Sequence, residues 1–307
     1  MEIDSSVDAL SRGRAFVDLS SWRKVGVRGA DAMPWLNDLV SADVAGLEAG
    51  RSRRSLLLSP TGGVRAEFTV ATLSDEILLL QDPAQPRAVD ALLAPYVLSS
   101  DVRLADLTGD LALLAFPGDP GDIGDPPAAG AHVIRPSCVA ERGGGLDVLA
   151  PSEAHDALVA GLSTDHELVD LVAFDTWRVL AGIPRVATEG ADGDLPDEIG
   201  LGDAVADGKG CYLGQEAVAK ARNLGHPRRV VIRVAAETTL GAGDEVRAGD
   251  AAVGTVTSVA IVEGRSMALA RLRWDARDAD LRTASGVPLE LLDRPHEGTA
   301  HGFTSRP

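Results

Sequence analysis

Lys209 and Cys211 fall two residues apart in GKGCYLGQEAVAK, the stretch from Gly208 to Lys220, and Cys211 is one of two cysteines in 307 residues. An ammonium beside a thiol favours the thiolate, the form that attacks electrophiles and binds metals. On an extended chain the side chains of residues i and i+2 project to the same side. Leu213 to Lys220 reads as helical, so Cys211 is expected just before a helix N-terminus, a second influence that lowers a thiol pKa. The same residues equally suit a cysteine packed into a strand-to-helix junction, because free cysteine is often buried.

Two other groups bear on chemistry. KARNLGHPRR carries Lys220, Arg222, Arg228 and Arg229 without an acid, in a chain that is otherwise acidic. It reads either as a solvated basic face ending a helix, where cations are welcome, or as the wall of a pocket for an anion. Glu198, in LPDEIGL, reads as an ordinary loop acid or as a ligand-binding carboxylate. The second cysteine, Cys138, follows HVIRPS with no partner motif and reads as packing.

The elements that must position these residues are legible in outline. RKVGVRG from Arg23 predicts a strand. ADAMPWLNDLV predicts a helix with Asp31 as its N-cap, Pro34 in its first turn and an apolar stripe of Met33, Leu36, Leu39 and Val40. RRSLLLSPTGGVRAEFTVATLSDEILLLQD predicts two strands around a Gly62-Gly63 turn and a third strand after Ser74. A helix is expected within Pro83 to Val97. DVRLADL, LALLAFPG, HVIRPS and GLDVLAP are expected strands, with a Gly/Pro/Asp loop from Pro117 to Gly130. Helices are expected from Ser152 to Leu162, capped by Ser152, and from His166 to Ala181, where Leu168, Leu171, Val172, Trp177 and Leu180 can cluster. Ala187 to Lys209 lacks periodicity, and long irregular stretches in compact proteins are usually functional or disordered. After Arg229 short strands with Gly turns predict a small barrel or sandwich, so two regions are expected, 1–227 and 228–307.

Composition excludes several function classes. The formal charge is −17, from 29 Lys+Arg against 46 Asp+Glu, and such a surface repels phosphate backbones and anionic lipid. No tight direct nucleic-acid binding and no membrane association are expected. The start MEIDSSVDAL is acidic and lacks an apolar core, so no signal peptide is expected and the expected compartment is the cytoplasm. The six histidines show no metal-ligand spacing, and no metal site is expected. GDAVADGKG, from Gly202 to Gly210, fails as a phosphate loop: its glycine spacing is too long, and Gly210 stands where Ser or Thr is needed.

KGCYLGQE is the most specific stretch of the chain, and it resembles the signature of the YgfZ/GcvT folate-binding family, the YgfZ branch more than the glycine-cleavage T-protein branch. RKVGVRGADAMPWLNDLVSADV, LLLSPTGGVRAEFTV, WRVLAGIPR (Trp177 to Arg185) and GTVTS (Gly254 to Ser258) resemble further family stretches in the same order, over about Phe16 to Leu292. The resemblance implies an α+β, aminomethyltransferase-like folate-binding fold, with three units in a ring, two α/β and one a C-terminal β-barrel. It implies tetrahydrofolate, or a folate derivative, as the cofactor. It also implies a role in iron–sulfur cluster assembly or repair, with iron–sulfur client proteins or assembly factors as partners and an indirect effect on tRNA modification.

Carried over position by position, Lys209 and Cys211 match the branch's motif lysine and cysteine, the implied catalytic pair. Glu198 matches the acid of a P-x-E element that holds the pterin in T-proteins. Lys220 and Arg222 fall where the family is basic after GQE, and Arg178 lies in the arginine-containing helix end. With Tyr212, which can stack on a ligand or fill the core, these are the implied folate contacts. The chemistry is consistent, since a pterin edge offers an amino group and a ring N–H to a carboxylate, and a folate tail is anionic. T-proteins carry an acidic pair after the Gly turn, where this chain has Ala66 beside Glu67, and many relatives have arginine where this chain has Lys220. A one-carbon transferase (aminomethyltransferase or demethylase) and a non-catalytic folate-binding module are the alternative functions.

Overall fold

The computed structural model describes residues 5–74, 76–139, 144–223 and 225–292. They divide into two compact units: one lies within Asp4–Leu57 and Ala66–Trp177, the other within Leu58–Arg65 and Arg178–Pro307. The cut differs from a division at residue 227, because the second unit takes the turn that joins the third and fourth strands and everything from Arg178 onward.

The first unit contains α1 (Ser5–Ser11), β1 (Ala15–Asp18), β2 (Arg23–Arg28), α2 (Ala32–Leu39), β3 (Arg51–Leu58), β4 (Val64–Thr72), β5 (Ile77–Gln81), α3 (Val89–Leu93), β6 (Arg103–Asp106), β7 (Leu111–Phe116), β8 (His132–Ile134), β9 (Leu146–Pro151), α4 (His155–Leu162) and β10 (Glu167–Val169). They form two five-stranded sheets, in the orders β10-β1-β7-β9-β8 and β3-β4-β5-β2-β6. The sequences of β5 and β7, ILLLQ and LALLAF, are apolar at nearly every position because both faces of these strands are buried. Phe16, Leu114, Phe116, Leu146, Val148, Leu158 and Leu162 form one core. Lys24 is fully buried in β2, and its ammonium donates to the carbonyls of Ser20 at 2.7 Å and Trp22 at 2.9 Å. Burial pushes its pKa down to about 8, and nearby carboxylates oppose the shift.

Three sequence expectations change here. Ser152 does not cap the helix to Leu162: it opens a short turn, Ser152–Ala154, and makes no side-chain cap bond, and α4 starts at His155. Asp31 occupies the N-cap position of α2 but makes no side-chain cap bond there; its carboxylate accepts the backbone N–H of Asp101 at 2.8 Å instead. His166 to Ala181 is not one helix. Ala15, Phe16 and Val17 of β1 recruit Glu167, Leu168 and Val169 as a parallel edge strand, and the helix α5 runs over Leu171–Ala181. The leucine and valine spacing fits a helical face by coincidence: Leu168, Leu171 and Val172 are exposed, while Trp177 is buried.

The second unit contains the last turn of α5, α6 (Val186–Glu189), α7 (Gln215–Asn223) and a closed barrel. Its strands are β11 (Arg229–Ala236), β12 (Glu245–Ala248), β13 (Ala251–Val262), β14 (Arg265–Arg273), β15 (Leu281–Thr283) and β16 (Pro288–Leu291), ordered β11-β14-β13-β12-β15-β16. Val230, Ile232, Val234 and Ala236 alternate into the interior with period two, and Val246, Val256, Ala270 and Leu272 fill it from the other strands.

Leu272→Ala, which opens a cavity in the barrel, is expected to cost about 2–5 kcal/mol. Val172→Glu, at a position 74% exposed, is expected to change stability by no more than about 0.5 kcal/mol. Urea denaturation of the two variants checks both.

Candidate functional site

The stretch between α5 and β11 has almost no periodic apolar pattern, yet it is ordered. Four carboxylates between Glu189 and Glu198 each meet an arginine from a different element, while Asp192 is exposed. Glu189 pairs with Arg178 of α5 at 3.3 Å, Asp194 with Arg271 of β14, Asp197 with Arg222 of α7 at 3.1 Å, and Glu198 with Arg228 at 2.6 Å. A buried carboxylate needs such a partner, because an unpaired charge in the interior costs several kcal/mol.

Arg178 is buried, and its guanidinium also donates to the carbonyl of Ile183 and the hydroxyl of Ser258, both at 2.8 Å. The Ser258 hydroxyl in turn donates to Glu189. β13 has a register shift between Val256 and Ser258, and Ser258 is buried where it meets them. Arg178, implied as a folate contact, is therefore committed to a structural network that joins the WRVLAGIPR and GTVTS stretches.

Glu198 sits in a single helical turn, Pro196–Ile199, with its side chain fully buried. Four donors converge on its two oxygens. The backbone N–H groups of Leu195 (3.0 Å) and Arg228 (3.3 Å) are two; Nε (2.6 Å) and Nη2 (3.0 Å) of Arg228 are the others. Burial alone would raise its pKa, but the Arg228 guanidinium and the Leu195 N–H outweigh burial and hold it below the usual carboxylate value.

Arg222 ties this turn to the cysteine loop. Its guanidinium donates to Asp197 through Nε (3.1 Å), to Asp207 through Nη1 (3.1 Å) and to the carbonyl of Gly202 (2.8 Å). Two members of the basic cluster, Arg222 and Arg228, are thus paired with acids. The reading of the cluster as an anion-binding wall narrows to the exposed Lys220 and Arg229.

The cysteine loop is held from the other side by the Gly62-Gly63 turn. Gly214, with φ +82°, is close-packed on that turn: a side chain there would meet the backbone oxygen of Ser59 and approach Cα of Gly62 to 3.2 Å. Gly62, with φ +83°, sits against Ala217 and Val218 of α7. The glycines are there for this approach of backbone to backbone. Cys211 is exposed at the surface of the loop. Tyr212 is buried, so it fills the core of the loop, and the Lys209 ammonium lies 5.4 Å from the centre of its ring.

Two parts of the proposed thiolate mechanism change. Gly210 is a bend, so Lys209 and Cys211 do not follow the two-residue alternation of an extended strand. α7 begins only at Gln215, after the turn at Leu213 and Gly214, so Cys211 lies outside the first helical turn, where a helix dipole acts. Cys138, by contrast, is a packing residue: its backbone N–H donates to the buried carboxylate of Asp147 at 2.8 Å, and burial pushes its thiol pKa well up. Glu67, in the first unit, is ion-paired with Arg54, and Ala66 is buried. Among the described residues no cluster of His, Cys, Asp and Glu is arranged to hold a metal ion, and no helix is long and apolar enough to cross a membrane.

Residues 2–120 match the GCVT N-terminal domain. The chain is 30% identical over 268 residues to an aminomethyltransferase of Mycobacterium leprae, covering 78% of this chain and 72% of that protein. The chain belongs to the aminomethyltransferase family. It is 27% identical over 241 residues to a tRNA-modifying protein YgfZ of Photobacterium profundum, covering 73% of this chain and 71% of that protein. The crystal structure of glycine cleavage system aminomethyltransferase T from Bartonella henselae superposes with a TM-score of 0.77 at 19% identity, covering 97% of this chain and 90% of that one. The α+β aminomethyltransferase fold with its C-terminal barrel is thus the fold read from the sequence. What the sequence reading of this family member missed is the pairing of its acids. Arg228 stood in the sequence only as one cation among four, and nothing in the spacing linked it to Glu198.

Arg178→Ala is expected to cost about 3–5 kcal/mol in urea denaturation, because it leaves Glu189 buried and unpaired. Glu198 carries a pH signature. Its folded pKa lies below the ordinary 4.5, so its ionic stabilisation is full above that value and is lost as pH falls through the folded pKa. The stability gap between wild type and Glu198→Gln is therefore expected to be largest at neutral pH and to close in acid, as read from urea midpoints over a pH series.

Proposed function

We propose that the protein binds tetrahydrofolate, or a related folate, through Glu198, and serves as an accessory protein of iron–sulfur cluster assembly or repair, with an indirect effect on tRNA modification. The observation that carries this reading is the buried carboxylate of Glu198, held as a two-oxygen acceptor and joined through Arg222 to the loop that exposes Cys211. The donor set suits a pterin: Glu198 already accepts two N–H groups of a planar fork, and a pterin edge presents an equivalent pair. Lys220 and Arg229 remain exposed for an anionic tail. Folate would supply a carrier for one-carbon groups. The chain would supply the carboxylate that orients it, the arginine staple that fixes the carboxylate turn, and the thiol.

Several features favour the YgfZ branch. KGCYLGQE is intact, the curated tRNA-modifying relative aligns over most of the chain, and Cys211 is solvent-accessible in a loop whose shape is fixed on both sides. Cys211 is the working thiol of this reading and Lys209 the cation nearest to it in sequence. Iron–sulfur client proteins or assembly factors are the proposed partners, and any iron that meets Cys211 would draw its other ligands from them. Aminomethyl transfer, the activity named for the 30% identical relative, is the second reading. Against it stand Ala66, an apolar residue in one of the T-protein acidic places, and Glu67, which is occupied by Arg54.

Anaerobic calorimetric titration with tetrahydrofolate is expected to show binding to the wild type and a loss of at least tenfold in affinity for Glu198→Ala, the scale of about 1.4 kcal/mol or more. Absence of binding to the wild type would overturn the folate reading. In cells lacking the protein, Cys211→Ala is expected to bind folate normally and fail to restore iron–sulfur enzyme activity. Full restoration would leave a folate-binding module without a thiol function.

A further inference from the structure

Glu198 is saturated. A carboxylate offers about four acceptor positions, and two backbone N–H groups with two guanidinium N–H groups fill all of them. The four donors are not alike. Those of Leu195 and Arg228 belong to the backbone, and the Arg228 backbone is itself fixed, its carbonyl accepting the N–H of Trp274 at 3.0 Å. The guanidinium is different: the Arg228 side chain is 72% exposed while the carboxylate it covers is 0% exposed. A flexible side chain reaching in from solvent caps a fully buried acceptor. In the other three carboxylate–arginine pairs of the segment the arginine side chain is 2%, 14% or 24% exposed and has no comparable freedom.

We propose that Arg228 is a displaceable stand-in for the ligand. Its guanidinium fork occupies the two acceptor positions of Glu198 that a ligand's amino and ring N–H donors must take, and it has to swing into solvent before the ligand binds. The inference rests on the folate reading of Glu198 and extends it from a contact to a competition. The chemistry decides which molecules can compete. A guanidinium and the 2-amino-4-oxopyrimidine edge of a pterin share the same planar N–C–N unit, so one fork replaces the other without leaving a buried oxygen unpaired. A ligand that lacks the amino donor leaves one oxygen bare and cannot displace the arginine on equal terms. Arg228 thereby sets both specificity, for amino-pyrimidinone or amidine-like edges, and affinity. The apparent dissociation constant is the intrinsic one divided by the fraction of molecules in which the fork is open. After displacement the two backbone N–H groups still hold the carboxylate in place, so the site stays organised for the incoming edge.

The test is calorimetric titration of pterin, and of lumazine, in which the 2-amino group is replaced by oxygen, into wild type, Arg228→Ala and Arg228→Lys. If the fork is open in about one molecule in ten or fewer, Arg228→Ala is expected to bind pterin roughly tenfold or more tighter than wild type. Arg228→Lys should fall between them, since lysine supplies a point charge and no fork. Lumazine should gain little. A second measurement, thermal denaturation of Arg228→Ala with and without millimolar methylguanidine, reads the vacated socket without any pterin. Stabilisation of the variant and not of wild type is expected.

Pterin binding that is equal or weaker in Arg228→Ala, with the variant folded, would overturn the proposal and leave the folate reading intact, with Arg228 as a wall of the site. Methylguanidine rescue without pterin binding to any variant would keep the displaceable socket and overturn the folate reading. Neither rescue nor binding would overturn both. If Arg228→Ala does not fold, Arg228→Lys and Arg228→Gln carry the same comparison.

Discussion

A buried carboxylate has to be paired, and the second unit is organised by that requirement. Between α5 and β11 there is little apolar periodicity to form a core. Four acids, Glu189, Asp194, Asp197 and Glu198, take its place, each drawing an arginine from elsewhere in the unit. Burying such pairs gains little over packing hydrocarbon, but losing one partner is costly. The arrangement therefore specifies one path for the chain more than it adds stability. It fixes the position of the Glu198 turn, and through Arg222 it fixes the start of the cysteine loop.

The Gly62-Gly63 turn gives the second constraint. It is the tip of the β3–β4 hairpin, it belongs to the second unit, and it touches Gly214 and α7 at backbone distance. The loop carrying Cys211 is thus pinned at one end by an arginine staple and at the other by glycine packing. Between these two anchors the thiol is exposed and Tyr212 is buried, with Lys209 over the tyrosine ring. A reactive group on a surface loop is useful when the loop holds its shape, and both anchors act on the backbone.

The same pairing rule separates structural from available groups. Arg178, Arg222 and Glu67 have conspicuous charge, and each is committed to a partner. Cys138 is a thiol kept protonated by burial. Of the candidate site residues, Cys211, Lys220 and Arg229 are exposed, and Glu198 is covered by Arg228. The proposed folate-and-thiol reading draws on this small set.

The sequence by itself determined the local structure. Short strands separated by Gly turns marked the barrel, apolar runs marked β5 and β7, the glycine pair marked the hairpin turn, and KGCYLGQE marked the candidate loop. These features are legible because each depends on a few neighbouring residues. Where local signals misled, a distant partner overrode them. The edge strand Glu167–Val169 reads as helix until β1 offers its hydrogen bonds, and Asp31 reads as a cap until the Asp101 N–H claims it. Only the tertiary structure decided which charges neutralise one another. Glu198 and Arg228 are separated by thirty positions, and Arg178 and Ser258 by eighty. Hydrogen bonds and ion pairs act through space over a few ångströms, and residue types along the chain carry no record of which carboxylate and which guanidinium the fold brings to that distance.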